Sequence, residues 1–139
     1  MSCREVVVSE HAPKDIGPYS PGIKAGSFVF VSGQLGLDPA TGNLAEGGVE
    51  GETRQALTNL GKILEAAGSG LANVVKTTVF LRDINDFGRM NGIYAEFFKE
   101  KPPARSAFQV GALPRAAAVE IEAIALLPGE EDCSEFQAD

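Results

Sequence analysis

Two stretches, VVKTTVFL at 74–81 and VEIEAIALL at 119–127, read as strands with apolar residues on both faces, and only two stretches of the chain carry helical periodicity. Two helices can cover one face of a sheet but not both. The expectation is an α+β domain: a mixed sheet with two helices packed on one face, and a second face left to meet a partner, most economically other copies of the chain.

The first helix is expected over Thr53–Ala67, where Ala56, Leu60, Ile63, Leu64 and Ala67 recur at helical spacing and Gly68 is placed to terminate it. The second follows Asp83, a capping residue. In it Phe87, Met90, Tyr94, Phe97 and Phe98 form one stripe, until Pro102 and Pro103 forbid continuation. Further strands are expected at Val6–Val8, Ser27–Ser32 and Ser106–Val110, giving the order β-β-α-β-α-β-β. HAPKDIGPYSPGIKAG, at 11–26, reads as turn because its prolines and glycines deny a helix, and GQLGLDPATGNLAEGG, at 33–48, reads as a long connection of the kind that is often functional.

At 139 residues the chain is long enough for one domain with a real core. We assign that domain to residues 1–128. Residues 129–139, GEEDCSEFQAD, hold five acids and no base, so a disordered acidic tail is expected; the remainder carries 14 acids against 12 bases and no basic stripe. Nucleic-acid binding is therefore not favoured by charge. No apolar run approaches the roughly 20 residues needed to span a bilayer, and the valines of MSCREVVVSEHAPKD are flanked by charges rather than extended into a secretory signal. A cytoplasmic setting is expected. Cys3 and Cys133 form no CxxC pair and His11 is the only histidine, so no metal site is expected; nucleotide-binding glycine loops, GxSxG and HExxH are absent as well.

Four features put polar groups where the patterns predict apolar ones. Asn91 falls within the aromatic stripe of the second helix, as a pocket residue or as a buried amide fastening a loop. In VEIEAIALL, period two puts Val119, Ile121, Ala123 and Ala125 on one face and Glu120, Glu122, Ile124 and Leu126 on the other. Two carboxylates thus share a face that turns apolar further on, either as a solvated pair or as a general acid or base at the edge of a water-poor site. PPARSAFQV, at 102–110, delivers Arg105 to the start of a short strand that reads as buried, with Ala107 and Gln109 on its face. Its guanidinium fits a carboxylate bidentately, so Arg105 serves either as an anion clamp or as an internal salt-bridge partner of Glu120 or Glu122. Tyr19 in IGPYSPG is stiffened by prolines, as a pocket wall or as a plug over the core. Together these groups describe a pocket for a small carboxylic acid, without metal or nucleophile.

IGPYSPG, FVFVSGQLG, VVKTTVFLRDINDF, NGIYAEFF, PPARSAFQV and VEIEAIA occur here in the order and spacing of the RidA (YjgF/YER057c) family, and residues 1–128 as a whole resemble it. The resemblance implies a chorismate-mutase-like fold, a homotrimer with sites in the clefts between subunits, and a 2-iminobutanoate/2-iminopropanoate deaminase that needs no cofactor. By position, Arg105 is similar to the arginine that grips the substrate carboxylate and Glu120 to the glutamate that handles the attacking water. Tyr19, Ser32, Gly33 and Asn91 match pocket residues, and Glu122 looks like a neighbour. Many bacterial members have cysteine where this chain has Ala107; the family role implied for that position is a main-chain carbonyl meeting the imine nitrogen, which alanine supplies equally. Two other readings stay open: a single-stranded RNA endonuclease, as some eukaryotic relatives are described, and a non-catalytic binder of small carboxylates.

Overall fold

In the computed structural model, residues 4–14 and 16–129 are described; the two cysteines and the tail beyond Gly129 lie outside them. The elements in chain order are β1 (Arg4–Val7), β2 (Gly22–Ala25), β3 (Phe28–Leu35), α1 (Gly48–Ala66), β4 (Val74–Leu81), α2 (Phe87–Phe97), β5 (Ala104–Gln109) and β6 (Val119–Leu126). The strands form a single mixed sheet in the order β1-β2-β3-β6-β4-β5. Every pairing is antiparallel except β4 with β5, which are parallel and joined through α2.

The expected α+β architecture is present, with one strand more than expected. β2 lies inside the stretch read as turn. Its four residues pair with Val31–Phe28 on one side and Val7–Arg4 on the other, so cross-strand pairing decides a segment too short and glycine-rich to declare itself. β3 also runs on to Leu35, taking in residues read as part of the long connection. α1 starts earlier than its apolar spacing suggests, after Gly47 in the left-handed region at φ 104, and ends where expected: Gly68 at φ 86 lets the Ser69 N–H donate to the Leu64 carbonyl at 2.8 Å. Asp83 caps a short 3₁₀ turn, Ile84–Asp86, by accepting from the Asn85 N–H at 2.9 Å, and that turn leads into α2.

Both helices pack on the same face of the sheet. Leu57, Leu60, Ile63 and Leu64 of α1 and Met90 and Tyr94 of α2 close over Val29, Val79, Leu81, Val119 and Ile121, all buried. Asn59, fully buried among them, is satisfied on every side: its amide donates to the Leu35 and Leu37 carbonyls at 3.1 and 2.9 Å and accepts from Gln55 at 2.9 Å. It thereby ties the end of β3 and the loop after it to the core.

The opposite face of the sheet has no cover in a single chain. Val6, Phe28, Phe30, Phe108 and Leu126 are exposed on or beside it, and Phe80 meets Phe108 edge to face at 5.5 Å. The exposed sheet face expected from the count of helices is thus present. No described helix is long and apolar enough to cross a membrane.

Candidate active site

Period-two strands sort the candidate residues by face. β5 pairs in register with β4, Arg105 beside Thr77 and Ala107 beside Val79, so both side chains lie on the helix-covered face. Glu120 pairs with Phe80, three residues from Thr77, and therefore projects from the open face. β4 separates β5 from β6, placing the two strand axes about 10 Å apart. An internal salt bridge from Arg105 to Glu120 or Glu122 is thereby excluded: the sheet stands between them.

On the helix side, β5 is the edge of the sheet rather than the buried strand that its sequence suggests, and Arg105 is half-buried on it. The guanidinium donates to the Asn91 side-chain oxygen at 2.7 Å. It lies over the Tyr94 ring, 4.7 Å from its centre, and 5.3 Å from that of Phe87. No described carboxylate pairs with it. Asn91 is exposed, not buried as its place in the stripe suggests, because it sits at the margin of α2 facing the edge strand. Asn91, Tyr94, Pro102, Pro103 and Arg105 line a cleft of about 370 Å³.

The main chain of Ala107 faces outward here. Val110 N–H donates to the Leu81 carbonyl at 2.9 Å. In a parallel ladder that phase turns the N–H and C=O of even-numbered residues of β5 toward β4 and those of Arg105, Ala107 and Gln109 off the free edge. The methyl of Ala107 packs against the core, so its main-chain N–H and carbonyl are the polar groups it offers outward.

On the open face, Glu120 sits at the floor of a cleft of about 510 Å³ lined also by Tyr19, Ser32, Gly33, Glu122 and Arg115. Burial raises the Glu120 carboxyl above its ordinary pKa, and the charge of Glu122 adds to the shift. Where β3 passes β6 the register slips between Val31 and Gln34, so Ser32 and Gly33 form a bulge against Glu122. The bulge gives Glu120 its room: a Cβ on Gly33 would come to 2.5 Å from a Glu120 carboxylate oxygen. The Ser32 hydroxyl donates to the Ser20 carbonyl at 2.6 Å and its N–H to that of Pro21 at 2.9 Å, so the bulge also holds the loop that carries Tyr19. Tyr19 itself is 48% exposed, a wall of the cleft and not a plug over the core.

The far wall is a strained turn. Arg115 and Ala116 adopt left-handed conformations at φ 61 and 54. Arg115 donates to the Gly42 carbonyl at 3.0 Å, and the buried Glu52 carboxylate accepts from the Ala118 N–H at 2.8 Å, which fixes the entry to β6 just before Glu120. The residues singled out in the sequence thus fall into two groups: Arg105, Asn91 and Ala107 at the sheet edge, and Tyr19, Ser32, Gly33 and Glu120 on the open face. Sequence reasoning missed Tyr94 and Phe87 as contacts of Arg105, because an aromatic stripe at helical spacing reads as core. Among the described residues no cluster of histidine, cysteine or carboxylate is placed to hold a metal ion.

A sequence model of the family described as endoribonuclease L-PSP, which is the YjgF/RidA family, matches residues 9–127. The chain belongs to the RidA family. Among RidA relatives, the 2-iminobutanoate/2-iminopropanoate deaminase of Mus musculus is 54% identical over 123 residues, 88% of this chain and 91% of the relative. A RutC family protein of Pyrococcus horikoshii is 53% identical over 122 residues, 88% of this chain and 97% of the relative. The crystal structure of Escherichia coli TdcF with bound serine superposes with a TM-score of 0.84 at 40% identity, covering 88% of this chain and 98% of TdcF. The likeness to these RidA members extends over 88% of this chain in both sequence and fold.

Proposed function

We propose that this protein hydrolyses reactive 2-imino acids and their enamine tautomers, 2-iminobutanoate and 2-iminopropanoate, to 2-oxo acids and ammonia, in a homotrimer whose sites lie between subunits. The observation that carries the reading is the pairing of an ordered, carboxylate-free Arg105 with a half-buried, raised-pKa Glu120, on opposite faces of one sheet. One chain cannot close these two groups on one small substrate. Its edge and another copy's open face can, and the uncovered apolar face supports such an assembly. The deaminase relatives at about half identity and the serine bound to TdcF support a small-carboxylate substrate. The cytoplasmic setting belongs to the same proposal.

The chemistry follows from the groups present. Arg105 of one subunit holds the substrate carboxylate with the guanidinium N–H groups that Asn91 does not use. The outward carbonyl of Ala107 accepts a hydrogen bond from the iminium N–H, keeping the nitrogen protonated and its carbon electrophilic. Glu120 of the adjoining subunit, made more basic by burial, orients a water and takes its proton as the oxygen bonds to that carbon. The C=N π pair passes to nitrogen, giving an amino carbinol, and Glu120 returns its proton to that nitrogen. An oxygen lone pair then forms the C=O bond as ammonia leaves with the C–N pair, and the hydroxyl proton passes to the Glu120 carboxylate, leaving ketone and ammonia. Every electron pair is accounted for without a cofactor.

The test runs threonine dehydratase with excess threonine and semicarbazide as imine trap, with and without this protein. Reduced trapping is expected, and abolished protection in Arg105→Ala. Unchanged trapping with tight 2-oxo acid binding would make the protein a binder, and RNA cleavage that survives Arg105→Ala would favour the nuclease reading that the family description suggests.

A further inference from the structure

An arginine that grips an incoming carboxylate must be ordered before the substrate arrives and yet not neutralised. A resident carboxylate would order it but occupy its donors and cancel its charge. Here the guanidinium has no described carboxylate partner and is held by one neutral acceptor, Asn91, and two aromatic faces. The Tyr94 ring is nearer, at 4.7 Å, and is fixed from below: it is 5% exposed, and its hydroxyl is hydrogen-bonded to Thr77 Oγ1 at 2.7 Å. Thr77 is fully buried on β4, directly beside Arg105 in the ladder. Threonine, tyrosine ring and guanidinium therefore form a stack rooted in the sheet. An aromatic face attracts the cation through its quadrupole while consuming none of its N–H groups.

We propose that Tyr94 is a positioning residue for the anion grip: its ring, anchored on Thr77, holds the Arg105 guanidinium flat and un-neutralised for the carboxylate of a 2-imino or 2-oxo acid. Phe87, at 5.3 Å, steadies the same group more weakly. The inference rests on the assignment of Arg105 as carboxylate grip but not on turnover.

Ring electronics separate this role from packing. In the full-length protein, Tyr94→Phe is followed by replacement with mono-, tri- and pentafluorophenylalanine, nearly constant in shape but with a progressively weaker quadrupole. Binding of 2-oxobutanoate is measured by calorimetry, and KM and kcat by the trapping assay. Tyr94→Phe, which keeps the ring but loses the Thr77 anchor, is the reference of the series; from that reference Kd and KM should rise stepwise to about tenfold with five fluorines while kcat holds. In an Arg105→Ala background the series should be flat. A flat series in the native background, or no binding of 2-oxobutanoate by the native protein, overturns the proposal. Binding that tracks fluorination without any imine hydrolysis would sink the deaminase reading and leave this one standing.

Discussion

Arg105 and Glu120 project from opposite faces of one sheet, with β4 between their strands. If they act on one substrate, they must come from different subunits. Arg105→Ala and Glu120→Gln should each be inactive alone. Co-expressed in equal amounts and randomly assembled, they should regain about a quarter of native activity, because a site is intact only when each variant contributes its sound half. Were both residues of a site drawn from one chain, the mixture would stay inactive; sizing of the mixed oligomer and the trapping assay give the answer.

The exposed aromatic face gives a second expectation. Phe30, 43% exposed amid apolar neighbours, should lie inside the subunit contact, and Phe30→Asp should bury an unpaired charge there. The variant should sediment as a monomer with native circular dichroism and no deaminase activity. A fully active trimer would show that the oligomer uses another surface.

The base proposed for the reaction, Glu120, can serve only when ionised, and its pKa is raised, first by burial and then by Glu122. The rate should therefore fall as pH drops through that raised value. Glu122→Gln removes one of the two causes, lowers the Glu120 pKa and should move the acid limb of kcat/KM to lower pH, with kcat at neutral pH little changed. An acid limb that stays in place would assign it to another group.

Two glycines should respond differently to alanine. At Gly33 the new methyl meets the mobile end of Glu120, and no left-handed φ is involved, so Gly33→Ala should keep the fold and lower kcat about tenfold or more by displacing the carboxylate. At Gly36 the methyl would overlap the main chain of Glu52, which cannot swing aside, so Gly36→Ala should cost about 1–3 kcal/mol of stability. Chemical denaturation beside the trapping assay distinguishes the two.

Asn59 makes three hydrogen bonds in the core. Asn59→Ala strands two carbonyls of the β3 end in an apolar setting and should destabilise by about 2–4 kcal/mol, read as a lower denaturant midpoint. An unchanged midpoint would mean that water replaces the amide.

Much of this molecule is local and was therefore legible. The β-branched run 74–81 is a strand with the bounds expected, Gly68 ends α1, and the alternation in VEIEAIALL separates the core residues Val119 and Ile121 from Glu120 and Glu122. The motifs also identified the family, because several short phrases in fixed order leave little room for coincidence. β2 was not legible, since four residues with a glycine at one end become a strand only by pairing on both sides. Nor was the exposure of Asn91 or the aromatic bed beneath Arg105: helical spacing says which residues share a face, not where the neighbouring strand stops covering it.

What the sequence by itself determined is the kind of every element but β2, the face on which each side chain stands within those elements, and the chemical character of the candidate groups. Strand order was left to the tertiary structure, because hydrogen-bonding partners are chosen by long-range packing of the whole sheet and not by the period of any one strand. That order puts β5 at the edge and β6 inside, and so turns a salt bridge that the sequence allowed into two groups on opposite faces that one chain cannot bring together.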